Sequence, residues 1–360
     1  MTGVQTCALP ILEPDKFAWA MPLAIIGMPA MLAIFIGIGF SFARILWSQG
    51  AGRIFALAAG LGASEWIRGE VFTGFPWNSL GMAFGGNLVL AQAASIVGLH
   101  GLTFLTIVLC ASPATLVDIQ TGNSTSRSWP GVVRTPISLA IIGTCIIAAF
   151  GAWRLSNGKT EFEQNVKLRI VQPNVSQDAK FRLENKERIL GQYLSLSDRA
   201  TSPTTSGVGD VTHLIWPESP FPFILSQDAP SLARIGALLG TSTILITGAA
   251  RAEAVTEGVG ARAGARARYF NSIHVIGRGG IILDTYDKAH LVPFGEYLPL
   301  ASLLEMVGLR QFVHVPGGFE AAKFRKGLTV PGLAPVAALI CYEAIFPGAV
   351  TPNDGKSNAA

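Results

Sequence analysis

Three side chains in the second half of the chain carry the candidate chemistry: Glu218, Lys288 and Cys341. Each follows an apolar run: His213-Leu214-Ile215-Trp216-Pro217, Ile281-Ile282-Leu283-Asp284-Thr285-Tyr286, and Val336–Ile340. Such runs read as buried strands, and open α/β sheets present their ligands at strand ends. A thiol attacks well only as thiolate, so its pKa of about 8.5 must be lowered or its proton taken by a base. A carboxylate in an apolar site can be that base. An ammonium beside them favours the thiolate and stabilises the oxyanion formed when sulfur adds to a carbonyl, an effect worth a few kcal/mol. The set is complete for acyl transfer through a thioester. Each residue alone has a blander reading: Cys341 as a core thiol, Glu218 as a helix N-terminal carboxylate, Lys288 as a surface cation and Glu296 as a turn residue. Spacing alone does not bring them together.

The elements that must position them alternate along the chain. Val166–Val171 reads as a strand, Lys180–Asp198 as a polar helix, Thr212–Trp216 as a strand, Ser231–Leu239 as a helix and Thr243–Thr247 as a strand running into Gly248. Ser272–Gly277 and Ile281–Tyr286 form a hairpin around Arg278-Gly279-Gly280. Arg251–Arg268, rich in Ala, Gly and Arg, is expected to be a mobile surface loop, and Leu298–Phe312 is apolar enough to touch lipid. The pattern is α/β.

The 360 residues include 27 Lys and Arg and 23 Asp and Glu, or 14% charged, with a mean hydropathy of +0.44. Soluble domains carry about 25% charge. Residues 1–153 hold only 11 of the charged side chains. That half contains four apolar segments: Ala20–Ala43, Ile54–Ile67 with Glu65 near its end, Leu88–Val117 with His100, and Pro136–Trp153. A bilayer span needs about 20 apolar residues, so a transmembrane bundle of about four helices is expected over 12–153. Arg44 and Arg53 flank the first connection and Arg127 and Arg134 lie in the third, whereas Gly69–Asn87 carries only Glu70. By the positive-inside rule, residues from 154 onward face outward, in a bacterium into the periplasm. Trp77, in the aromatic turn Thr73–Asn78, reads as an interfacial anchor or as the lining of a lipid-binding mouth. Residues 1–11 fit no signal peptide and are expected to be a non-native leader. A net charge of +4 with no basic run argues against a nucleic-acid partner. Cys110 and Cys145 lie in apolar segments, which argues against a disulfide framework or a metal site.

Local contexts add a resemblance. Trp216-Pro217-Glu218, the run Tyr286–Pro299 with Lys288 and Glu296, and Ile340-Cys341-Tyr342-Glu343 resemble the nitrilase (carbon-nitrogen hydrolase) superfamily and, within it, the apolipoprotein N-acyltransferase family of bacterial inner membranes. Gly74–Trp77 and Val171–Asn174 also resemble family segments. The resemblance implies an αββα sandwich over 154–360, following the helical transmembrane bundle. It implies Glu218 as general base, Lys288 as oxyanion-stabilising lysine, Cys341 as nucleophile, and Glu296 as a second carboxylate positioning the lysine. Glu343 would support the site, and Tyr342, Phe181 and Trp77 would contact substrate. Lys180-Phe181 stands where many members have Lys-Trp. The implied reaction moves an acyl chain from a phospholipid to the N-terminal amine of diacylglyceryl-cysteine in an apolipoprotein, with no cofactor and no metal. A membrane-anchored amidase is the alternative reading. Because the family continues beyond the residue equivalent to Ala360, the catalytic domain is expected to be incomplete, and an inactive fragment is the third reading.

Overall fold

The computed structural model describes residues 23–48, 50–115, 136–176, 180, 182–204, 207–254, 267–293, 295–297 and 318–352. The leader 1–11, Arg127, Arg134, Phe181, the Leu298–Phe312 stretch and the tail from Asp354 lie outside these residues. The chain divides into two compact units, a helical one within Trp19–Glu161 and an α/β one from Phe162 onward.

The helical unit has four long helices among its described residues: α1 (Met28–Ile45), α2 (Arg53–Glu70), α3 (Ala94–Ala111) and α4 (Pro136–Asn157). Three stretches are long and apolar enough to cross a membrane: Ile25–Ile45, Ala94–Thr115 and Pro136–Asn157. Helix α2 differs in carrying Arg53, Glu65, Arg68 and Glu70. It packs on α1 through small residues. A Cβ on Gly60 would lie 2.4 Å from the Gly39 carbonyl oxygen, and one on Gly39 would lie 3.0 Å from Leu61 and Ser64 side-chain atoms. Close backbone approach of this kind is how helices associate where no hydrophobic effect drives them. The apolar segment Leu88–Val117, as far as it is described, is interrupted at its start and at Gly98. Asn87 caps a single turn, Leu88–Ala91, and Gly98 breaks the α3 backbone at φ 65°, ψ −175°. Only glycine adopts that conformation without strain.

The α/β unit is built on a five-stranded sheet in the order β1-β2-β3-β4-β5: Leu168–Ile170, His213–Trp216, Ile244–Ala254, Ala267–Ile276 and Ile282–Asp287. β1, β2 and β3 are parallel, and β4 is antiparallel to both β3 and β5. The carboxyl ends of β2 and β5 therefore share one edge of the sheet. Two helices, α5 (Lys186–Ser197) and α6 (Ala229–Leu239), cover one face, where Ile189, Leu190, Tyr193 and Ile235 meet Leu214, Trp216, Leu245 and Ile276. The other face receives a small second sheet, β6 (Gly327–Leu328) with β7 (Val336–Ala337), whose Leu328 packs with Val275 and Tyr286. The described residues thus form a helix layer, a main sheet and a second, short sheet.

Two expectations are corrected. The strand ending at the nucleophile spans only Val336–Ala337 rather than Val336–Ile340, and it pairs with β6. Ala338 and Ile340 are buried but lie outside any ladder. Arg251–Arg268 is not a loop at its ends. β3 continues to Ala254 and β4 begins at Ala267, in register. Arg251 holds this extension by pairing with Asp287 on β5 (2.7 Å) and lying over the Phe270 ring at 4.4 Å.

Candidate active site

Glu218 sits just beyond β2, after Pro217, in a turn where Ser219 takes φ 46°. The turn lies close against β3: a Cβ on Gly248 would come within 2.7 Å of the Glu218 Cα. Glycine at 248 leaves room for the Glu218 main chain.

Lys288 is the first residue past β5. Its amide continues the ladder by donating to the Asn271 carbonyl at 2.8 Å. Successive strand residues alternate between faces, so Lys288 lies on the side of Tyr286, toward the second sheet. The side chain is 1% exposed, and its ammonium lies 3.0 Å from Glu296 and 3.9 Å from Glu218 Oε1. A buried cation is tolerated only when paired and hydrogen-bonded. Glu296 meets that need and is itself held, its Oε2 accepting from the Val292 amide at 2.8 Å.

Asn271 completes the arrangement and was not singled out in the sequence. Its Nδ2 donates to Glu218 Oε1 and to Glu296 Oε1, both at 2.7 Å, while its buried Oδ1 has no partner. One amide group thus ties the two carboxylates together. No sequence signal marked it, because it falls outside the expected strand Ser272–Gly277 and its partners are 53 and 25 residues away.

Cys341 opens a short 3-10 turn, Cys341–Ile345, with φ 49°. Positive φ is uncommon for a non-glycine residue and concentrates at functional sites. The residue is exposed at the surface. Burial of the thiol by its immediate neighbours nevertheless pushes its pKa up. The negative charge of Glu218 and the hydrogen bond to it act the same way, while Lys288 and the Tyr342 amide oppose them. Lys288 thus favours the thiolate, but burial and Glu218 outweigh it, and the thiol hydrogen-bonds Glu218.

Glu343 is fully buried and joins the nucleophile turn to the lysine loop. It accepts from the Tyr286 hydroxyl and from the amides of Ala289, His290 and Ile340 at 2.9–3.0 Å, with Arg325 at 3.4 Å. Tyr342 is 3% exposed and packs edge-on to Phe346, which stacks on His290 at 4.1 Å. Its main-chain amide donates to the Cys341 sulfur. Trp77 belongs to the helical unit, where it is half-buried. Phe181 is outside the described residues, while its neighbour Lys180 donates to the main-chain carbonyl of Glu218 at 3.2 Å.

A carboxylate, a buried ammonium and a thiol thus meet beyond the ends of β2 and β5, and a model of the carbon-nitrogen hydrolase family covers residues 167–356. The chain belongs to the carbon-nitrogen hydrolase family. A profile of the apolipoprotein N-acyltransferase N-terminal domain covers residues 10–112. Among full-length relatives, the chain is 47% identical over 338 residues to an apolipoprotein N-acyltransferase of Bradyrhizobium diazoefficiens, covering 94% of this chain and 61% of the relative. It is 46% identical over 346 residues to that of Rhodopseudomonas palustris, covering 96% and 62%, and 40% identical over 357 residues to that of Rhizobium rhizogenes, covering 97% and 62%. The chain thus spans about three fifths of the length of these relatives.

Proposed function

We propose that the protein is an apolipoprotein N-acyltransferase that works by a two-step, thioester-linked acyl transfer. The observation that carries this reading is the Glu218–Lys288–Cys341 set on one sheet edge, in a chain whose other unit has three stretches apolar enough to cross a membrane. In the first step the Cys341 thiol passes its proton to Glu218 as sulfur adds to the sn-1 ester carbonyl of a phospholipid. Lys288 and the Tyr342 amide are placed to stabilise the oxyanion, a role best filled by preorganised donors. Collapse expels the lysophospholipid alkoxide, which takes the proton back from Glu218 and leaves an acyl-thioester. In the second step the α-amine of diacylglyceryl-cysteine attacks the thioester, Glu218 accepts the amine proton, and the thiolate leaves and is reprotonated. Glu296 holds Lys288 charged throughout, and Asn271 holds both carboxylates. The helices suit this chemistry, because both substrates are lipids that reach the thiol from a membrane. The setting is a bacterial inner membrane, crossed several times, with the α/β unit on the periplasmic side.

The test is mass spectrometry of the complete protein incubated with phospholipid. We expect an acyl adduct on Cys341 that hydroxylamine removes and that is absent in Cys341→Ala. No adduct, or the same adduct in that variant, overturns the mechanism. Release of free fatty acid at the same rate with and without an amine acceptor would favour the amidase reading.

A further inference from the structure

Behind the Cys341 turn lies a buried cation that the acyl-transfer steps do not use. Arg325 is 5% exposed, and its partner Glu343 is 0% exposed. The second sheet brings the two together. β6 and β7 pair antiparallel through Gly327↔Ala337 and Leu328↔Val336, so the residues before Gly327 run alongside those after Ala337. Arg325 Nη2 thereby lies 3.4 Å from Glu343 Oε1, and the guanidinium also donates to the Tyr286 hydroxyl oxygen. Every group around the Glu343 carboxylate donates to it: the Tyr286 hydroxyl, the amides of Ala289, His290 and Ile340, and Arg325. That is the pattern of an ionised carboxylate. The core cluster that holds Tyr286 and Ile340 also contains Val275, Leu328 and Ala338, so this charge sits against apolar packing. A charge buried there is tolerated only when hydrogen bonds and a countercharge both meet it. The neutral amides supply the hydrogen bonds, and Arg325 supplies the charge. The segment leading to Arg325 meets the rest of the site through its main chain. The Phe319 amide donates to the Glu296 carbonyl and the Ala322 amide to the Lys288 carbonyl, both at 2.9 Å.

We infer that Arg325 is a positioning residue: through Glu343 it fixes Cys341 and Lys288 relative to one another. The Ile340 amide, held by Glu343 Oε2, sets the chain just before Cys341 and its positive φ. The Ala289 and His290 amides, held by Oε1, set the chain just after Lys288. One carboxylate grips both sides only while it keeps its charge and its orientation. The guanidinium meets Oε1, the oxygen that takes the two lysine-loop amides. The inference rests on the acyl-transfer reading for the rate it controls, but not for its geometry.

The test sets Arg325→Gln, which keeps a donor without the charge, against Arg325→Lys, which keeps the charge. In the complete enzyme with phospholipid vesicles, Arg325→Gln should lower the maximal rate of thioester formation by about tenfold or more, with the KM for phospholipid within about twofold. Arg325→Lys should recover most of that rate. In detergent micelles, Arg325→Gln should raise hydrogen exchange about tenfold in peptides covering residues 286–292 and 338–346, with α5 and α6 peptides unchanged. The same exchange is then read in Glu343→Gln. There, adding Arg325→Gln should change it by less than about twofold, because the charge that the arginine answers is gone. An additive effect in that pair overturns the inference, as do equal losses in Arg325→Lys and Arg325→Gln, or a raised KM at unchanged rate. If Arg325→Gln alone does not fold, the doubly neutral pair carries the test, and a pair that also fails to fold overturns the inference. A wild-type enzyme that forms no thioester refutes the acyl-transfer reading instead, while the exchange comparison still decides whether Arg325 acts through Glu343.

Discussion

At Cys341, burial and the Glu218 carboxylate hold the thiol protonated against the pull of Lys288. Alkylation by iodoacetamide as a function of pH should therefore show a midpoint above the ordinary thiol value of about 8.5. Removing the charge in Glu218→Gln should move that midpoint down, yet thioester formation should fall by about 10²- to 10⁴-fold, because the base is lost. Lys288→Met should move the midpoint up. A midpoint that rises in Glu218→Gln would refute the assigned electrostatics. Gly248→Ala tests placement rather than charge. Its Cβ would press on the Glu218 backbone at 2.7 Å, and overpacking costs about 1–3 kcal/mol. We expect at least a tenfold slower thioester step with the alkylation midpoint little changed, measured side by side. Glu218, Lys288 and Cys341 were legible in the sequence because each ends an apolar run in a distinctive local context. Asn271 was not, because it lies just before the expected strand Ser272–Gly277 and its partners are distant in sequence. Glu343 was legible only as a carboxylate beside the nucleophile. That it binds main-chain amides rather than lining a pocket depends on contacts 53–57 residues away.

Among the elements, the Cys341 turn and the Lys288 loop meet through Glu343. Glu343→Ala leaves the amides of Ala289, His290 and Ile340 without their acceptor, and each buried unsatisfied group costs about 1–3 kcal/mol. We expect Tm to fall by several degrees, since about 1 kcal/mol shifts Tm by about 2–4 °C in units of this size. Thioester formation should be lost in the same variant at temperatures where it remains folded. Thermal unfolding followed by circular dichroism, together with the adduct assay, checks both. The β3–β4 pair shows why some elements were read short. Composition marks Arg251–Arg268 as loop-like, but its first four residues are held as strand by Asp287 and Phe270, which composition cannot place. The break at Gly98 was missed for the opposite reason: an apolar run carries no sign of one glycine at positive φ.

For the molecule as a whole, the contrast between an apolar helical unit and a charged α/β unit follows the uneven charge distribution of the sequence. One acid-sensitive group lies in the α/β unit's core. His274 on β4 is buried, bonded through Nδ1 to Thr285, and burial lowers its pKa from 6.5 to about 4. The folded state therefore binds fewer protons than the unfolded one between those values, and stability falls as pH drops through that window. The full loss is about 3 kcal/mol on the scale of 1.36 kcal/mol per unit. Unfolding of the full chain between pH 7 and pH 4 should show this slope, and His274→Gln should flatten it. An unchanged slope would place the acid sensitivity elsewhere.

The Asn271 amide has one further consequence. Both of its hydrogens are committed, one to Glu218 and one to Glu296, and its oxygen meets no donor. It can neither relay a proton between the carboxylates nor reverse its polarity without placing its oxygen against them. Lys288 is held on the same two groups as a donor. The cysteine proton is then the one hydrogen with somewhere to go when sulfur attacks. Thioester formation should slow in heavy water, because the cysteine proton is in flight to Glu218 as sulfur adds. A rate unchanged in heavy water would mean that this proton does not move in the attack.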